Sequence, residues 1–479
     1  MNNVVKFHNS MGGSDTATSP FRKNKCKLDT YSLAEQLLED YHVVRIKCDN
    51  QPREDMLYIF NNGIYEYNMT ELEGAIRKYG RGAKSSEIKT TLQDLLSMSP
   101  LVDETPYNYV AFNNCIVDIN TLKTFEFDAD KFVITSKVYA DYDIEPTSNT
   151  VELVDKFFND ISCNNTEFQK LLYQVIGYCM LRTAKYQRAF ILTGNANNGK
   201  SDYLYIITKL LGNYCSNKNL FQLSNLNNLR SLYKCTANVT DDVEDISRVD
   251  FSKIRTLISG NAKIAIQCNK ENEFAFEPYA TLLLATTHTL DFIGCGDEIF
   301  RRFKVIPFNA KFDKSTVDRN MTENITAPAS LGLIATRAIQ AVSKLGREWE
   351  FPATIEHETD LYFFNGNPLL AFAKTHPIKR IISVDNYYRN FSVWHNDTFF
   401  YETDIPKATF SKRLSYLLNM KSELHTLDGV RNNFFMSSDF NLELCKQQRD
   451  EYCKSTGTPM TILQYVDYID KLDNEKSDE

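Results

Sequence analysis

The pattern of apolar and polar residues divides the chain into three parts. The first part combines strand and helix patterns. Strand–turn–strand patterns occur at 56–67, around an Asn-Asn-Gly turn, and at 109–118, and helical spacing covers 72–79 and 87–98. The first 20 residues are polar and rich in Gly, Ser and Thr, which predicts a mobile arm. We see no catalytic cluster here, so residues 1–148 are interpreted as an N-terminal assembly or docking domain of mixed α+β structure.

The middle part, residues 149–350, has the pattern of an α/β domain with a parallel sheet. Amphipathic helices are predicted over 151–158 and 168–180, and a short apolar strand over 188–192. A loop with the sequence Gly-Asn-Ala-Asn-Asn-Gly-Lys-Ser follows that strand and precedes a stretch of helical spacing. Strand, loop and helix in this order are the context of a phosphate-binding loop, or P-loop.

The last part, residues 351–479, indicates a small separate module. Helices are predicted over 386–394 and 407–419, and two extended runs within 422–436 flank an Asp-Gly turn. Two helices followed by a hairpin predict a winged helix. The chain ends in an acidic segment, which is expected to form a solvated tail.

Composition narrows the class of protein. The net charge of −8 over 479 residues excludes a uniformly basic nucleic-acid coat, so any such site must be local. No apolar run approaches about 18 residues and the N-terminus lacks the apolar core of a signal peptide, so no membrane span is expected. The 11 cysteines form no Cys-x-x-Cys pair, which argues against a zinc ribbon and leaves free thiols in the cytoplasm as the expectation.

The glycine-rich loop predicts ATP binding. Its two glycines let backbone N–H groups wrap a phosphate, Lys200 would reach the β- and γ-phosphates, and Ser201 would bind Mg²⁺. The alternative, an ordinary glycine-containing turn, does not require the flanking strand and helix. The predicted ATP-binding residues are Gly194, Asn195, Ala196, Asn197, Asn198, Gly199, Lys200, Ser201 and Asp202.

Three downstream patterns could complete an ATPase. The run 235–240 reads as a strand that ends at Asp241 and Asp242, which we expect on a strand neighbouring the loop strand. Asp241 would then bind the Mg²⁺ shell and Asp242 would polarise the attacking water, or the two roles would be exchanged. The alternative to a catalytic pair is an acidic loop on the surface. The buried strand 281–287 ends in polar residues, two threonines, at the place where a γ-phosphate sensor would lie.

Paired arginines, Arg301 and Arg302, precede an apolar strand. They suit an arginine finger supplied to a neighbouring subunit, although a solvated pair is the simpler alternative. Two alternating runs within 263–276 predict a β-hairpin with a polar tip, where a lysine is either solvated or in contact with DNA. The predicted DNA contacts of this hairpin are Lys263, Asn269 and Lys270.

The order of these motifs resembles that of superfamily 3 helicases, which are AAA+ proteins, and in particular the poxvirus/phage-type branch. The resemblance runs from about residue 58 to 312, with a weaker similarity in the last part. It implies a ring, usually a hexamer, that translocates on single-stranded DNA with ATP between subunits. The matching segments are Phe112-Asn-Asn-Cys-Ile-Val-Asp118, the Gly-rich loop, Ala237-Asn-Val-Thr-Asp-Asp242, Leu257-Ile-Ser-Gly260 and Arg301-Arg302-Phe with Ile306-Pro-Phe308.

Single positions follow from the resemblance. Arg302 matches the finger, and Thr287 falls at the sensor, where the family normally has Asn; a hydroxyl can still orient water, with a shorter reach. Arg255 stands where many relatives have Lys. Only about 150 residues precede the ATPase, and they contain no zinc-binding cysteine set, so we infer that this chain has no primase domain of its own. A separate primase or host replication proteins are possible partners.

The chain looks most similar to the stand-alone replication initiator helicases of phages and staphylococcal-type pathogenicity islands. Those proteins use a C-terminal module to find a duplex origin. The alternative is a partner-docking winged helix without DNA specificity. The corresponding DNA contacts here would be Lys407, Lys412, Arg413 and Tyr416 on a recognition helix and Arg431 in the wing.

Three functions therefore compete. The first is a DNA-unwinding motor that recognises its origin, and the second is an ATP-gated origin-binding initiator without processive unwinding. The third, a nucleotide kinase, shares the P-loop but needs neither the arginine pair nor the C-terminal module.

Overall fold

The structure is a computed structural model. Helices and strands account for most of the part that it describes, and they fall into three groups along the chain. The described residues are 20–23, 27–47, 56–143, 145–243, 246, 249–268, 271–290, 292, 295, 297–312, 320–399, 403, 405–418, 420, 422–427 and 430–477.

The first group combines three helices with short strands. Strands β3–β6 form one sheet in the order β5-β4-β3-β6, and β7–β9 form an antiparallel sheet of their own. The elements are β1 (Arg22–Lys23), β2 (Lys27–Leu28), α1 (Thr30–Asp40), β3 (Val44–Ile46), β4 (Leu57–Asn61), β5 (Ile64–Glu66), α2 (Met69–Tyr79), α3 (Ser85–Met98), β6 (Leu101–Val102), β7 (Tyr109–Ala111), β8 (Ile116–Asp118) and β9 (Lys123–Phe125).

The predicted hairpin and helices of this group are confirmed. Asn62 and Gly63 turn the chain between β4 and β5 with φ angles of 49° and 89°, the left-handed backbone that such a turn requires. Leu33, Leu72 and Ile76 are fully buried where α1 and α2 pack together. The apolar positions that predicted the helices are therefore the ones that form the core.

The second group contains a parallel five-stranded sheet. Its elements are α4 (Ser148–Ile161), α5 (Thr166–Cys179), β10 (Ala189–Thr193), α6 (Lys200–Leu211), β11 (Cys215–Ser216), α7 (Leu220–Leu223), β12 (Ala237–Thr240), α8 (Phe251–Ser259), β13 (Ile264–Cys268), β14 (Glu271–Phe276), β15 (Thr281–Thr286), α9 (Asp297–Phe300), β16 (Phe303–Pro307), α10 (Met321–Ile325) and α11 (Pro328–Val342). Two 3₁₀ helices, Gly212–Tyr214 and Leu226–Leu232, lie between them.

Both faces of this sheet are buried. Along β10, Phe190 and Leu192 pack into one core with α4, α5, α6 and α11, while Ala189 and Ile191 pack into a second core with α7 and α8. Successive side chains of a strand point to opposite faces, so a strand covered on both sides is apolar throughout. The prediction of an α/β fold with a parallel sheet is confirmed.

One detail of the predicted sheet is wrong. The strand order is β11-β12-β15-β10-β16, so β15 lies between the loop strand β10 and the acidic strand β12, which were expected to be neighbours. The reason is that β10 pairs with β15 on one side and β16 on the other, which leaves it no free edge for β12.

A single core crosses the predicted boundary between the first two parts. Val110, Phe112 and Tyr142 belong to the same buried cluster as the helices α4, α5 and α11. Backbone bonds tie this segment down as well: the Tyr139 N–H donates to the carbonyl of Leu210 at 2.7 Å. The segment that follows α3 is thus packed as part of the core of the second group.

The third group is a compact helical module with a small sheet. Strands β17–β19 pair antiparallel in the order β17-β19-β18, and Phe391, Phe410 and Phe435 are fully buried between them and the helices. The elements are α12 (Ala353–Gly366), α13 (Pro368–Thr375), β17 (Ile381–Ser383), α14 (Val384–Phe399), α15 (Lys407–Leu417), β18 (Ser422–Leu427), β19 (Val430–Met436), α16 (Leu442–Thr456) and α17 (Ile462–Ser477).

The predicted helix, helix and hairpin of this module are present. The hairpin turn, Asp428-Gly429, lies outside the described residues. The acidic segment expected to be a tail continues α17 as far as Ser477. Among the helices that the structure describes, none is long and apolar enough to cross a membrane.

Candidate nucleotide-binding site

A cavity of about 360 Å³ opens at the edge of the sheet where the parallel strands end. The carboxyl ends of parallel strands meet at one edge, so the segments that follow β10, β12 and β15 converge there. The cavity thereby gathers three of the predicted motifs, although they are far apart in sequence. Its lining residues are Ala196, Asn197, Asn198, Gly199, Lys200, Ser201, Asp202, Asp241, Asp242, Thr286 and Thr287.

The two loop glycines are required by the backbone. Gly194 has a φ of 133°, and a Cβ there would lie 2.3 Å from the carbonyl oxygen of Phe308. Gly199 has a φ of 88°, and a Cβ there would lie 2.5 Å from Cγ2 of Ile161. Only glycine suits both positions, because a side chain would meet strained dihedral angles and a clash together. The loop can therefore curve tightly before α6 begins at Lys200.

Asn198 anchors this loop to the sheet. The residue is buried, and its Nδ2 donates to the Phe308 carbonyl at 2.8 Å, just beyond the end of β16. Its Oδ1 accepts from the backbone N–H of Lys200 at 3.4 Å. The sequence placed Asn198 in the loop but gave no sign of this role, because Phe308 is distant in the chain.

Lys200 points back into its own loop. Its side chain is buried, and its Nζ donates to the carbonyls of Gly194 at 2.6 Å and Asn195 at 2.8 Å and to Oδ1 of Asn198 at 3.1 Å. An ammonium group has three hydrogens, so all of them are used. Burial lowers the pKa of Lys200, and the opposing carboxylates Asp241 and Asp242 only partly restore it. Phosphate oxygens could replace these acceptors and supply the missing negative charge.

The acidic pair lies exposed on the opposite side of the cavity. Asp242 has a φ of 54°, and its N–H donates to Oδ1 of Asp241 at 3.0 Å. The next residue, Val243, is buried and donates to the Ala285 carbonyl at 2.8 Å, which fixes the segment against β15. Together with the exposed Ser201, these carboxylates form the set of oxygen donors that Mg²⁺ prefers, with room left for water and phosphate.

The two threonines at the end of β15 differ in what they can reach. Thr286 is buried, and its Oγ1 bonds to the N–H and the carbonyl of His288, each at 3.1 Å. Thr287 is exposed and also lines the cavity. The hydroxyl of Thr286 is thus occupied by hydrogen bonds to His288. Thr287 is therefore the threonine whose side chain is exposed in the cavity.

Asp202 is held by a residue that the sequence did not indicate. Its Oδ1 accepts from Oγ1 of Thr322 at 2.5 Å, which links the first turn of α6 to α10. The two residues are 120 positions apart, and no local pattern connects them. Such a contact depends on the tertiary arrangement alone.

Arg302 lies at the opposite edge of the sheet from the cavity. The N–H of Ala189, at the start of β10, donates to its carbonyl at 2.9 Å. Because β10 spans five residues at about 3.3 Å each, the two edges are about 16 Å apart. Its Nη1 donates to the Glu298 carbonyl at 2.7 Å, whereas Arg301 is exposed. Arg302 therefore does not reach the cavity of its own chain.

The predicted DNA contacts in the hairpin are only partly described. Strands β13 and β14 pair antiparallel, as predicted, but Asn269 and Lys270 lie outside the described residues. Lys263, at the root of the hairpin, lines a second cavity of about 260 Å³. Its other walls include Glu104, Arg182 and Lys234.

In the C-terminal module, one carboxylate joins three elements. Asp385 of α14 accepts from Lys407 Nζ of α15 at 2.6 Å and from Asn432 Nδ2 of β19 at 3.0 Å. The Lys407 hydrogen bond lowers the pKa of Asp385, with help from the Asn432 bond. Lys407 is thus committed to an ion pair. Of the other predicted contacts of the module, Lys412 and Arg431 are exposed and Arg413 is half-buried. The side chain of Tyr416 lies outside the described part of the structure.

Comparison with known proteins gives a partial match. Residues 192–302 match the profile of a family of unknown function, DUF5906, and no curated protein matches the chain. Among solved structures, an apo structure of the NrS-1 C-terminal region is 12% identical, with a TM-score of 0.46, over 86% of this chain and 100% of that one. An A-form apo structure of the same region gives the same values.

Proposed function

We propose that this protein is an ATP-driven DNA-unwinding motor and replication initiator of a phage or mobile genetic element. The observation that carries the proposal is the cavity at the carboxyl edge of the sheet. It brings the glycine-rich loop together with an acidic pair and a threonine pair from two other strands.

The cavity residues have distinct roles in this proposal. The N–H groups of the loop and the start of α6 bind the phosphates of ATP, where the helix dipole favours negative charge. Lys200 leaves its carbonyl acceptors and neutralises the β- and γ-phosphates. Ser201 and Asp241 would hold Mg²⁺, which withdraws charge from the transferred phosphate. Asp242 orients the attacking water, and Thr287 contacts the γ-phosphate end.

The position of Arg302 supports a site shared between subunits. An arginine whose backbone lies about 16 Å from its own loop, at the opposite edge of the sheet, would act on a phosphate in a neighbouring copy. A subunit with its loop at one edge and its arginines at the other associates head to tail, and such contacts form a ring when the rotation closes. A homo-oligomer, which the sequence resemblance implies is a hexamer, is therefore part of the proposal.

DNA is the proposed partner of two regions. The hairpin β13–β14 would face single-stranded DNA in the centre of the ring. The C-terminal module has the helix–helix–hairpin order of a winged helix, and α15 would contact a duplex origin through Lys412 and Arg413. The wing residue Arg431 lies on β19. The next residue of that strand, Asn432, donates a hydrogen bond to Asp385, the carboxylate that also binds Lys407.

The decisive experiment is strand displacement on a forked duplex with ATP, compared with ATP hydrolysis in the same preparation. The motor predicts displacement that Lys200→Ala abolishes. Arg302→Ala should abolish hydrolysis while ATP binding stays within about threefold, because a finger contributes mainly to the transition state. Mixing Arg302→Ala with Lys200→Ala subunits should restore part of the hydrolysis if the finger acts between subunits. Normal turnover by Arg302→Ala alone would refute the shared site.

The alternative is an ATP-gated initiator that binds or melts an origin without processive unwinding. Hydrolysis and origin binding without displacement would favour it over the motor. A nucleotide kinase is the third possibility, and it predicts phosphoryl transfer to a nucleotide and no stimulation of hydrolysis by single-stranded DNA.

A further inference from the structure

Tyrosines line a third cavity, which lies where the first and second groups of elements meet. Its volume is about 360 Å³. The first group contributes residues of β4, β5 and the segment that follows β5, and the second group contributes residues in and next to the two 3₁₀ helices. We call it the tyrosine cavity; its five tyrosines are Tyr58, Tyr65, Tyr67, Tyr214 and Tyr233.

Tyr67 is the exposed member of this set. It is 49% exposed, whereas the other four tyrosines are buried or half-buried. The Tyr67 ring meets the buried Tyr58 ring edge to face, with the ring centroids 6.2 Å apart. Tyr58 is itself held by Tyr233, since their hydroxyl oxygens lie 2.7 Å apart. Tyr67 therefore presents an exposed ring on a fixed support, which suits the stacking of a nucleic-acid base.

Cations line the same cavity as this ring. Arg230, in the last turn of a 3₁₀ helix, is exposed, and its guanidinium forms no ion pair with any residue that the structure describes. Lys234 is a second cation of the walls, and its Nζ lies 5.6 Å from the centroid of the Tyr233 ring. Glu66 is the one carboxylate among the described wall residues, and it accepts from the hydroxyl of Tyr214 at 3.2 Å. A ring for a base and cations for a phosphate together make a nucleotide site.

The second cavity, of about 260 Å³, adjoins the tyrosine cavity, because Tyr233 and Lys234 line both. Two of its cations share one carboxylate: Glu104 lies 2.6 Å from Lys234 Nζ and 3.6 Å from Arg182 Nε. The Arg182 side chain is 5% exposed, and its Nη1 is buried without a hydrogen-bond acceptor in the part of the chain that the structure describes. A buried donor of this kind needs an acceptor, which a phosphate oxygen in the cavity can supply.

The position of the second cavity favours a strand of DNA over a free nucleotide. Lys263 and Glu277, which precede β13 and follow β14, are among its wall residues, so it lies at the root of the β13–β14 hairpin. A strand that the hairpin holds can continue through this cavity into the tyrosine cavity, whereas a free nucleotide would fill one of the two. The strand must be single, because a base is able to stack on a protein ring only when it is unpaired and unstacked.

We propose that single-stranded DNA binds along these two adjoining cavities, with one base stacked on Tyr67 and phosphates at Arg230 and beside Arg182. This site is separate from the two DNA contacts of the proposed function, and it rests on that function only in that DNA is the partner. None of its residues belongs to the cavity around the glycine-rich loop. Binding at this site therefore requires no ATP.

The test is DNA binding by the full chain without ATP, measured by fluorescence anisotropy with labelled oligo-dT. Tyr67→Ala should weaken the binding about tenfold, which is the loss expected for one base–aromatic stack. Tyr67→Phe keeps the ring and should bind as the wild type does. Arg230→Gln should make the plot of log affinity against log salt less steep by about 0.7, the value for one phosphate contact to a single strand.

Two control variants make the same chemical changes elsewhere. Tyr31→Ala removes a tyrosine of α1 that is 57% exposed, and Arg347→Gln removes an exposed arginine. Neither residue lines the two cavities, so neither change should affect oligo-dT binding. Equal losses for Tyr67→Ala and Tyr31→Ala, or a salt slope in Arg230→Gln equal to that of the wild type, would overturn the proposal.

A second measurement locates the strand on the protein. Oligo-dT that carries 5-iododeoxyuridine is irradiated in complex with the wild type, and the peptide with Tyr67 should be among those that mass spectrometry finds crosslinked; its absence would overturn the site. Free dTMP is tested as a competitor, and displacement as effective as that by unlabelled oligo-dT would overturn the assignment to a strand. ATP hydrolysis and strand displacement are measured in parallel, so that failure of the motor is seen separately from failure of this site.

Discussion

Glu104 offers a sharp test of how the N-terminal segment is attached to the core. Its carboxylate lies 2.6 Å from Lys234 Nζ and 3.6 Å from Arg182 Nε, with side-chain exposures of 24% for Glu104, 17% for Lys234 and 5% for Arg182. Burial alone would raise the pKa of Glu104, but Lys234 and Arg182 together hold it below its ordinary value. Glu104→Gln keeps the volume of the side chain and removes the charge.

The loss of stability in Glu104→Gln comes from the buried charge of Arg182, which the substitution leaves without its carboxylate. Arg182 keeps the hydrogen bonds from its Nη2 to the carbonyls of Thr105, Pro106 and Tyr109, but its charge loses the nearby carboxylate that compensates it. Removing one partner of a buried ion pair costs about 3–5 kcal/mol. We expect the lower end, about 3 kcal/mol, because Glu104 is partly exposed. Local opening should then become about 100-fold more frequent.

Hydrogen exchange of peptides around residues 104 and 234 is the appropriate assay, because a chain of this size does not unfold in two states. Since folding lowers the pKa of Glu104, its stabilisation is present above the ordinary carboxyl pKa and is lost as pH falls through the folded value. The ratio of local exchange rates between Glu104→Gln and the wild type, compared at the same pH, should therefore approach one below about pH 4.

Two further variants make this prediction refutable. Glu152→Gln, at an exposed helix position, should change exchange less than about twofold. Glu104→Gln combined with Lys234→Met removes both charges and should recover more than half of the local stability that Glu104→Gln alone loses. The reasoning is wrong if Glu104→Gln changes local exchange by less than about fivefold, or if its deficit is the same at acidic and neutral pH.

Other predictions concern the loop and the C-terminal module. Asn198→Ala leaves the Phe308 carbonyl without its donor and should raise the KM for ATP about tenfold, with a smaller change in kcat, in a steady-state assay. Gly199→Ala should abolish binding of a fluorescent ATP analogue, because both its φ of 88° and the contact with Ile161 oppose a methyl group; retained binding would contradict this. Asp385→Asn should destabilise the C-terminal module by less than about 1 kcal/mol, measured by hydrogen exchange of its peptides, since the ion pair between Asp385 and Lys407 is half exposed.

Local patterns predicted the elements and the site motifs well. The loop, its strand and α6 are contiguous in the chain, and the required glycines at 194 and 199 leave a visible spacing. The same holds for the helices and hairpin of the C-terminal module. In these places the periodicity of buried side chains is itself the signal, because one face of each element packs against a core.

What the sequence did not predict depends on non-local pairing. The position of β15 between β10 and β12 is fixed by which strands share backbone hydrogen bonds, and the alternation within each strand carries no information on its neighbour. The link between Asp202 and Thr322, and the ion cluster of Glu104, join distant segments through single side chains. The location of Arg302 at the far edge also required the direction of β16.

The core that includes Val110, Phe112 and Tyr142 together with α4, α5 and α11 limits how this chain can change in evolution. A whole N-terminal part could not be exchanged for that of a relative as an independent cassette, because each side supplies apolar surface that the other must match. Substitutions on the two sides of residue 148 are therefore expected to be correlated. Recombination between related genes should leave its breakpoints upstream of residue 104 or downstream of the core around the parallel sheet.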